Sequence, residues 1–231
     1  MNLPIFQENL RSSAGWASEL ERQVMPWRES PADARVRARE LQVREAVART
    51  PVAEAFLAAN FLAASQLTGK WAAIWAQSSE PHLDLGRLME LHNALTGKAT
   101  LENGFRTKEG SRLGEYHDPA PPSIVPRLVD NALDWFQTPS FGEIHPVEQA
   151  TIAHLRMLDL QPFASMNAEI AHLTASFYTE RAGLPPLVLF SGKEEVTQYE
   201  GAREAAFRML TQPLVELLSN SLVRTIRMVL A

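Results

Sequence analysis

Apolar residues recur along most of the chain at the three-and-four spacing of an α-helix, and sharp punctuation separates the runs. Ser30-Pro31 reads as a cap followed by a first-turn proline and predicts a helix to about Arg49. Thr50-Pro51 repeats the signal at once, so a second helix, about Pro51 to Leu67, leaves the first at a sharp corner. It carries Val52, Phe56, Ala59 and Ala63 on one face and Leu57, Phe61 and Leu62 on others, the pattern of a central helix. Gly69 is expected to stop it. Asp84 opens the next helix, whose Leu85, Leu88, Leu91 and Leu95 run up to Gly97. Further helices are predicted at about Ser123 to Phe136, His145 to Leu160, Asn167 to Arg181, Lys193 to Leu210 and Pro213 to Leu230.

One stretch breaks the pattern. From Lys98 to Pro122 the helical period disappears and glycines recur at Gly104, Gly110 and Gly114. Phe105, Leu113 and Tyr116 alternate there with polar residues, which predicts a short exposed β-hairpin. The expected fold class is therefore all-α with one hairpin.

Composition narrows the function classes. The 231 residues suit one core with a helical extension. A formal net charge of -5 argues against general nucleic-acid binding, which needs concentrated positive charge. The absence of cysteine excludes disulfides and thiolate chemistry. No apolar run reaches the roughly 20 residues of a membrane span, and Met1 to Arg11 does not read as a signal peptide. The expectation is a cytoplasmic protein with no membrane contact.

Several chemical patterns can be set aside. Arg35, Arg37, Arg39, Arg44 and Arg49 are interleaved with Asp33, Glu40 and Glu45, which reads as a solvated face with intrahelical ion pairs. Thr96-Gly97-Lys98 lacks the upstream glycine of a phosphate loop, since His92 stands there. The six histidines form no HxxxH pair, no carboxylate pattern accompanies them, and no metal is expected.

The stretch Gln161-Pro162-Phe163-Ala164-Ser165-Met166-Asn167-Ala168-Glu169 differs from these, because it joins two predicted helices and leads into a helix N-terminus, where free N–H groups favour anions. It resembles the catalytic loop of the Fic family, His-Pro-Phe-x-Asp-Gly-Asn-Gly-Arg-x-x-Arg, with His172 at the last position. The flanks are similar in order and spacing: Leu91 to Gly97, Gly104 to Thr107, Pro121 to Leu128, Ile144 to Ala150 and Arg181 to Pro186. The resemblance implies a Fic-like helical core at 80–231, an N-terminal helical region at 1–79 packed on it, and a target-binding flap carrying Arg106, Thr107, Gly110, Gly114 and Tyr116.

It also implies that the chemistry is missing. Family members typically transfer AMP from ATP to a protein hydroxyl. Gln161 stands where the general base belongs, and an amide cannot take that proton near neutral pH. Ser165 replaces the acidic magnesium ligand, Met166 and Ala168 replace the two glycines, and Glu169 and His172 replace the two arginines. Pro162, Phe163 and Asn167 match; Asn167 is the one motif position left that could contact a cofactor, and otherwise it caps the following helix. The family's self-inhibitory helix is best matched by Ala64 to Gly69, which would set Thr68 opposite His172.

The expected function is a catalytically degenerate Fic protein that binds a protein partner through the flap, with no cofactor. The alternative is a Fic-fold transferase with a non-standard motif, using ATP and magnesium or moving another group through Glu169 or His172. A third reading is a subunit partner, with Ile226, Val229 and Leu230 of the last helix as core or as a homodimer seam.

Overall fold

A computed structural model describes residues 15–50, 54–78, 83–98 and 104–231. The helices are α1 (Gly15–Arg28), α2 (Ala32–Arg49), α3 (Glu54–Ser78), α4 (Leu85–Thr96), α5 (Val125–Phe136), α6 (Pro139–Gly142), α7 (Pro146–Leu160), α8 (Asn167–Arg181), α9 (Lys193–Phe207) and α10 (Gln212–Leu230). Among the described residues there is no strand.

Local chemistry sets several of the boundaries. Asp84 accepts the backbone N–H of Arg87 at 2.8 Å and starts α4, while Gly97, at φ 64°, ends it in the left-handed conformation. His145 caps α7 through Nδ1, which accepts the Val147 N–H at 3.2 Å, with Pro146 in the first turn. Residues 170–179 of α8 are buried on every side, so α8 is the axis of the fold, packed against α7, α3 and α4. Ile170, Leu173 and Phe177 are fully buried, as the helical spacing requires.

Helix α3 departs from expectation twice. It runs through Gly69 to Ser78. A side chain at Gly69 would collide with the Arg39 guanidinium and crowd Glu180, so the glycine makes room for a neighbour rather than ending the helix. Its inward stripe is Leu57, Phe61, Ala64, Thr68 and Trp71, while Ala59 and Ala63 face solvent. Val52 and the side chain of Phe56 lie outside the described residues.

Helices α1 to α3 share one apolar core with the remainder of the chain, Leu20 and Phe61 lying in the same cluster as Leu173 and Phe177. A buried polar network ties α2 and α3 to α8. The Gln42 amide donates to Ser176 Oγ at 3.0 Å and to the Leu187 carbonyl at 2.9 Å, and Ser65 donates to Gln42. Arg39 pairs with Glu180 at 2.5 Å, and Ser176 and Thr68 also donate to that carboxylate. Arg39 and Arg49 thus leave the solvated face expected of the arginine series; the Arg49 guanidinium lies 4.6 Å from the Tyr199 ring and donates to the Phe190 carbonyl. Helix α10 spends Ile226 and Val229 on the core, with Leu230 exposed.

Candidate functional site

The loop between α7 and α8 is built by three residues. Gln161 ends α7 at φ 44° and ψ 63°, turning the chain sharply. Phe163, 1% exposed, stacks on His92 at 4.1 Å and lies parallel to Phe105 at 6.3 Å, so rings from α4 and the flap clasp it. Asn167 closes the turn: its Oδ1 accepts the Phe163 N–H at 2.9 Å and its Nδ2 donates to the Phe163 carbonyl at 2.7 Å. Asn167 therefore braces the loop and is not the helix cap. Met166 holds the cap position at φ 60°, a left-handed conformation natural to glycine, and makes no side-chain cap bond.

The other loop positions are scattered in environment. Ser165 and Ala168 are exposed. Glu169 sits in the first turn of α8 and accepts the Thr50 hydroxyl at 3.2 Å, bringing the α2–α3 corner against the loop. His172, 4% exposed, faces inward; its Nε2 donates to the Leu187 carbonyl at 2.7 Å and its ring meets Phe61 at 5.5 Å. Burial pushes its pKa down to about 4, so it is a neutral tether. Thr68 lies at Glu180, two turns along α8, so the expected pairing of Thr68 with His172 does not occur.

The segment expected to be a β-hairpin is an irregular loop over residues 104–121, because side chains take the backbone groups that a partner strand would use. Arg106, 5% exposed, is a staple beneath it: its guanidinium reaches the carbonyls of Gln161 (2.8 Å), Lys108 (2.9 Å) and Ala120 (2.5 Å), and its N–H donates to the Pro162 carbonyl at 2.9 Å. Glu204 of α9 accepts the N–H groups of Glu115 and Tyr116 at 2.9 and 3.2 Å, and Gly114, at φ 117°, lets that carboxylate approach. His117, 1% exposed, accepts the Leu113 N–H at 3.1 Å and reaches the Asp159 carbonyl at 3.3 Å. Residues 99–103 lie outside the described residues.

Gln161 joins flap to motif loop. Its Oε1 accepts the Ser111 N–H at 2.9 Å and its Nε2 donates to the Ser111 carbonyl at 2.6 Å. The side chain is 6% exposed, and a Cβ at Gly110 would stand 2.9 Å from Oε1, so the glycine admits the amide. Both ends of this amide thus pair with one residue's backbone, as a peptide group of an adjacent strand would. Thr107 and Tyr116 are exposed, and Arg208 lies 4.8 Å from the Tyr116 ring. Beside the flap, Phe105, Thr107, Pro121, Pro122 and Pro126 border a groove of about 640 Å³. Gln161, Gly110 and Gly114 were visible in the sequence; Ser111 and Glu204 carried no signal there, since their roles are made by contacts across 50 and 89 positions.

Residues 82–179 match the model of the Fic/DOC family. The chain is 29% identical over 114 residues, 48% of its length, to the protein adenylyltransferase fic-1 of Caenorhabditis briggsae, and it spans only 22% of that relative. Its fold superposes on Fic-1 of C. elegans with a TM-score of 0.72 at 20% identity, covering 94% of this chain and 72% of that one. It also resembles IbpAFic2 covalently tethered to Cdc42, with a TM-score of 0.57 at 15% identity, covering 93% of this chain and 71% of that one. No helix among the described residues is long and apolar enough to cross a membrane. The chain thus carries a segment, residues 82–179, that matches the Fic/DOC family model, and it shares the helical fold of Fic-domain structures.

Proposed function

We propose that the chain is a catalytically degenerate Fic module that binds an extended segment of a partner protein at the flap and transfers no AMP. The observation that carries this reading is the Gln161 amide seated on Ser111. It occupies a flap backbone N–H and C=O pair of the kind that an incoming strand uses in strand addition. A partner segment enters by displacing a neutral side chain and taking over its two hydrogen bonds, an exchange that costs little.

The residues of the loop do not fit magnesium and a triphosphate. Ser165 brings no charge to a hard cation, and Met166 fills space where backbone would approach phosphate. Glu169 already places a carboxylate at the positive end of α8. His172, at the last position of the motif, is sealed in the core and is not placed to accept a proton from a substrate. Losing a general base alone costs about 10²–10⁴ in rate, and several groups are replaced together. The resemblance to a structure tethered to Cdc42 supports a protein partner as the class of ligand.

Restoration tests the reading. The quadruple variant Gln161→His, Ser165→Asp, Met166→Gly and Glu169→Arg is expected to recover AMP incorporation, read by intact mass after incubation with Mg-ATP and a cell lysate. Gln161→His alone is expected to stay inactive, because a base without a positioned substrate has nothing to deprotonate. AMP incorporation by the single variant would overturn the reading in favour of a transferase with a non-standard motif.

A further inference from the structure

The C-terminal end of α8, away from the motif loop, borders a pocket of about 580 Å³ between α1, α2, α3 and the turn at Gly183. Trp27, Arg28, Arg35, Arg39, Lys70 and Glu180 line it: four cations and one carboxylate, on a chain whose net charge is -5. The carboxylate is already committed. Glu180 pairs with Arg39 and accepts further bonds from Ser176 and Thr68. Among the described residues, Arg28, Arg35 and Lys70 have no carboxylate partner.

Arg28 is the telling residue. Its Nε and one terminal nitrogen, Nη2, are enclosed and make no hydrogen bond. Burial without compensation holds its pKa below the usual value for arginine. Arg35 reaches only two carbonyl oxygens, those of Ser30 and Arg28, each at the long distance of 3.5 Å, and lies 5.7 Å from the Trp27 ring. A partly desolvated guanidinium with unused donors beside two other cations costs free energy, which a ligand of opposite charge would offset.

The walls are built to stay open. Trp27, 3% exposed, is fixed by its Nε1–H bond to the Gly183 carbonyl at 3.1 Å. Gly69 keeps a side chain off the Arg39–Glu180 pair at the back of the pocket. We propose that this pocket is a binding site for a small phosphate-bearing anion, with Arg28, Arg35 and Lys70 supplying the donors and the Arg39–Glu180 pair a rigid rear wall. Guanidinium forks match phosphate oxygens in pairs, and two or more negative charges balance the three uncommitted cations better than one carboxylate would. A half-open pocket of this volume suits a small molecule, and the chain's net negative charge disfavours a long polyanion. No residue of the motif loop takes part, so the site stands independently of the Fic chemistry.

Pyrophosphate is the probe, titrated by calorimetry and by thermal shift at low salt, with acetate at equal ionic strength as the control. The expected result is saturable pyrophosphate binding that raises Tm, weakens with added salt and is absent with acetate. Arg28→Met should weaken binding by about tenfold or more, the loss of one charge-assisted contact. Without ligand, Arg28→Met should leave Tm unchanged or raise it, since it removes an uncompensated charge; a purely structural arginine would lower it. Lys70→Met, at an exposed position, repeats the binding test if Arg28→Met does not fold. No saturable binding by the unaltered protein, or equal binding by the folded variants, would overturn the proposal.

Discussion

The two ends of α8 show opposite uses of polar residues. At its C-terminal end, Glu180 and Ser176 join Arg39, Gln42, Ser65 and Thr68 in a network where each member is bonded across helix boundaries. At its N-terminal end, Ser165 and Ala168 are exposed and Glu169 is held by one long bond to Thr50, while the loop keeps its shape through the Phe163 ring stack and the Asn167 brace. The fold rests on the first set and on the scaffold of the second. Of the positions where a Fic enzyme keeps its chemistry, Ser165 and Ala168 are exposed and carry little of the stability here, while Gln161 and His172 are built into the frame.

Breaking the C-terminal network should therefore have the largest effect. Glu180→Ala leaves the Arg39 guanidinium, with only 18% of its side chain exposed, without its counter-charge. A loss of about 3 kcal/mol in chemical denaturation is expected, in the range for opening a largely buried pair. Ser165→Ala, at the other end, should fall within about 0.5 kcal/mol. Similar losses for the two variants would erase the contrast.

Acid sharpens the same comparison through His172, where the motif becomes core. Burial holds His172 and His145 at about 4 and His154 at about 3, below the ordinary histidine value. The unfolded chain takes up these protons first as pH falls, so the stability they represent is complete above about pH 6.5 and is lost progressively toward pH 4. Tm should drop measurably between pH 6.5 and 5, with a shallower slope in His172→Gln. A flat profile in that window would show these histidines to be reachable by solvent.

Smaller still is the effect expected of Gln161→Ala. Global stability should change by about 1 kcal/mol or less, since the amide makes two bonds to one residue. Hydrogen exchange at the Ser111 amide should nevertheless rise strongly while Glu115 and Tyr116, held by Glu204, stay protected. Unchanged exchange at Ser111 would mean that Gln161 does not close the flap.

Most helices and the place of the motif were legible in the sequence because they depend on neighbours along the chain. Asp84, Gly97 and Pro146 mark ends by chemistry confined to one turn. What escaped was set by distant partners. Gly69 reads as a stop until Arg39 arrives beside it, and the flap reads as a hairpin until Arg106, Gln161 and Glu204 claim its backbone. Arg39 and Arg49 read as surface until Glu180 and Tyr199 meet them from 141 and 150 positions away. The site followed the same rule: its residues were identifiable, while the pairing of Gln161 with Ser111 was not.

The proposed lack of nucleotide chemistry at the motif is tested most directly by calorimetry of the unaltered protein with Mg-ATP, followed by intact-mass analysis. No heat of binding up to millimolar nucleotide that titrates to the motif loop, and no added mass on the protein itself, are the expected results; binding that survives Arg28→Met and tightens in Glu169→Lys would place nucleotide at the motif. Micromolar Mg-ATP affinity at that loop, or a mass gain of one AMP, would contradict the proposal that this Fic-like module is catalytically degenerate.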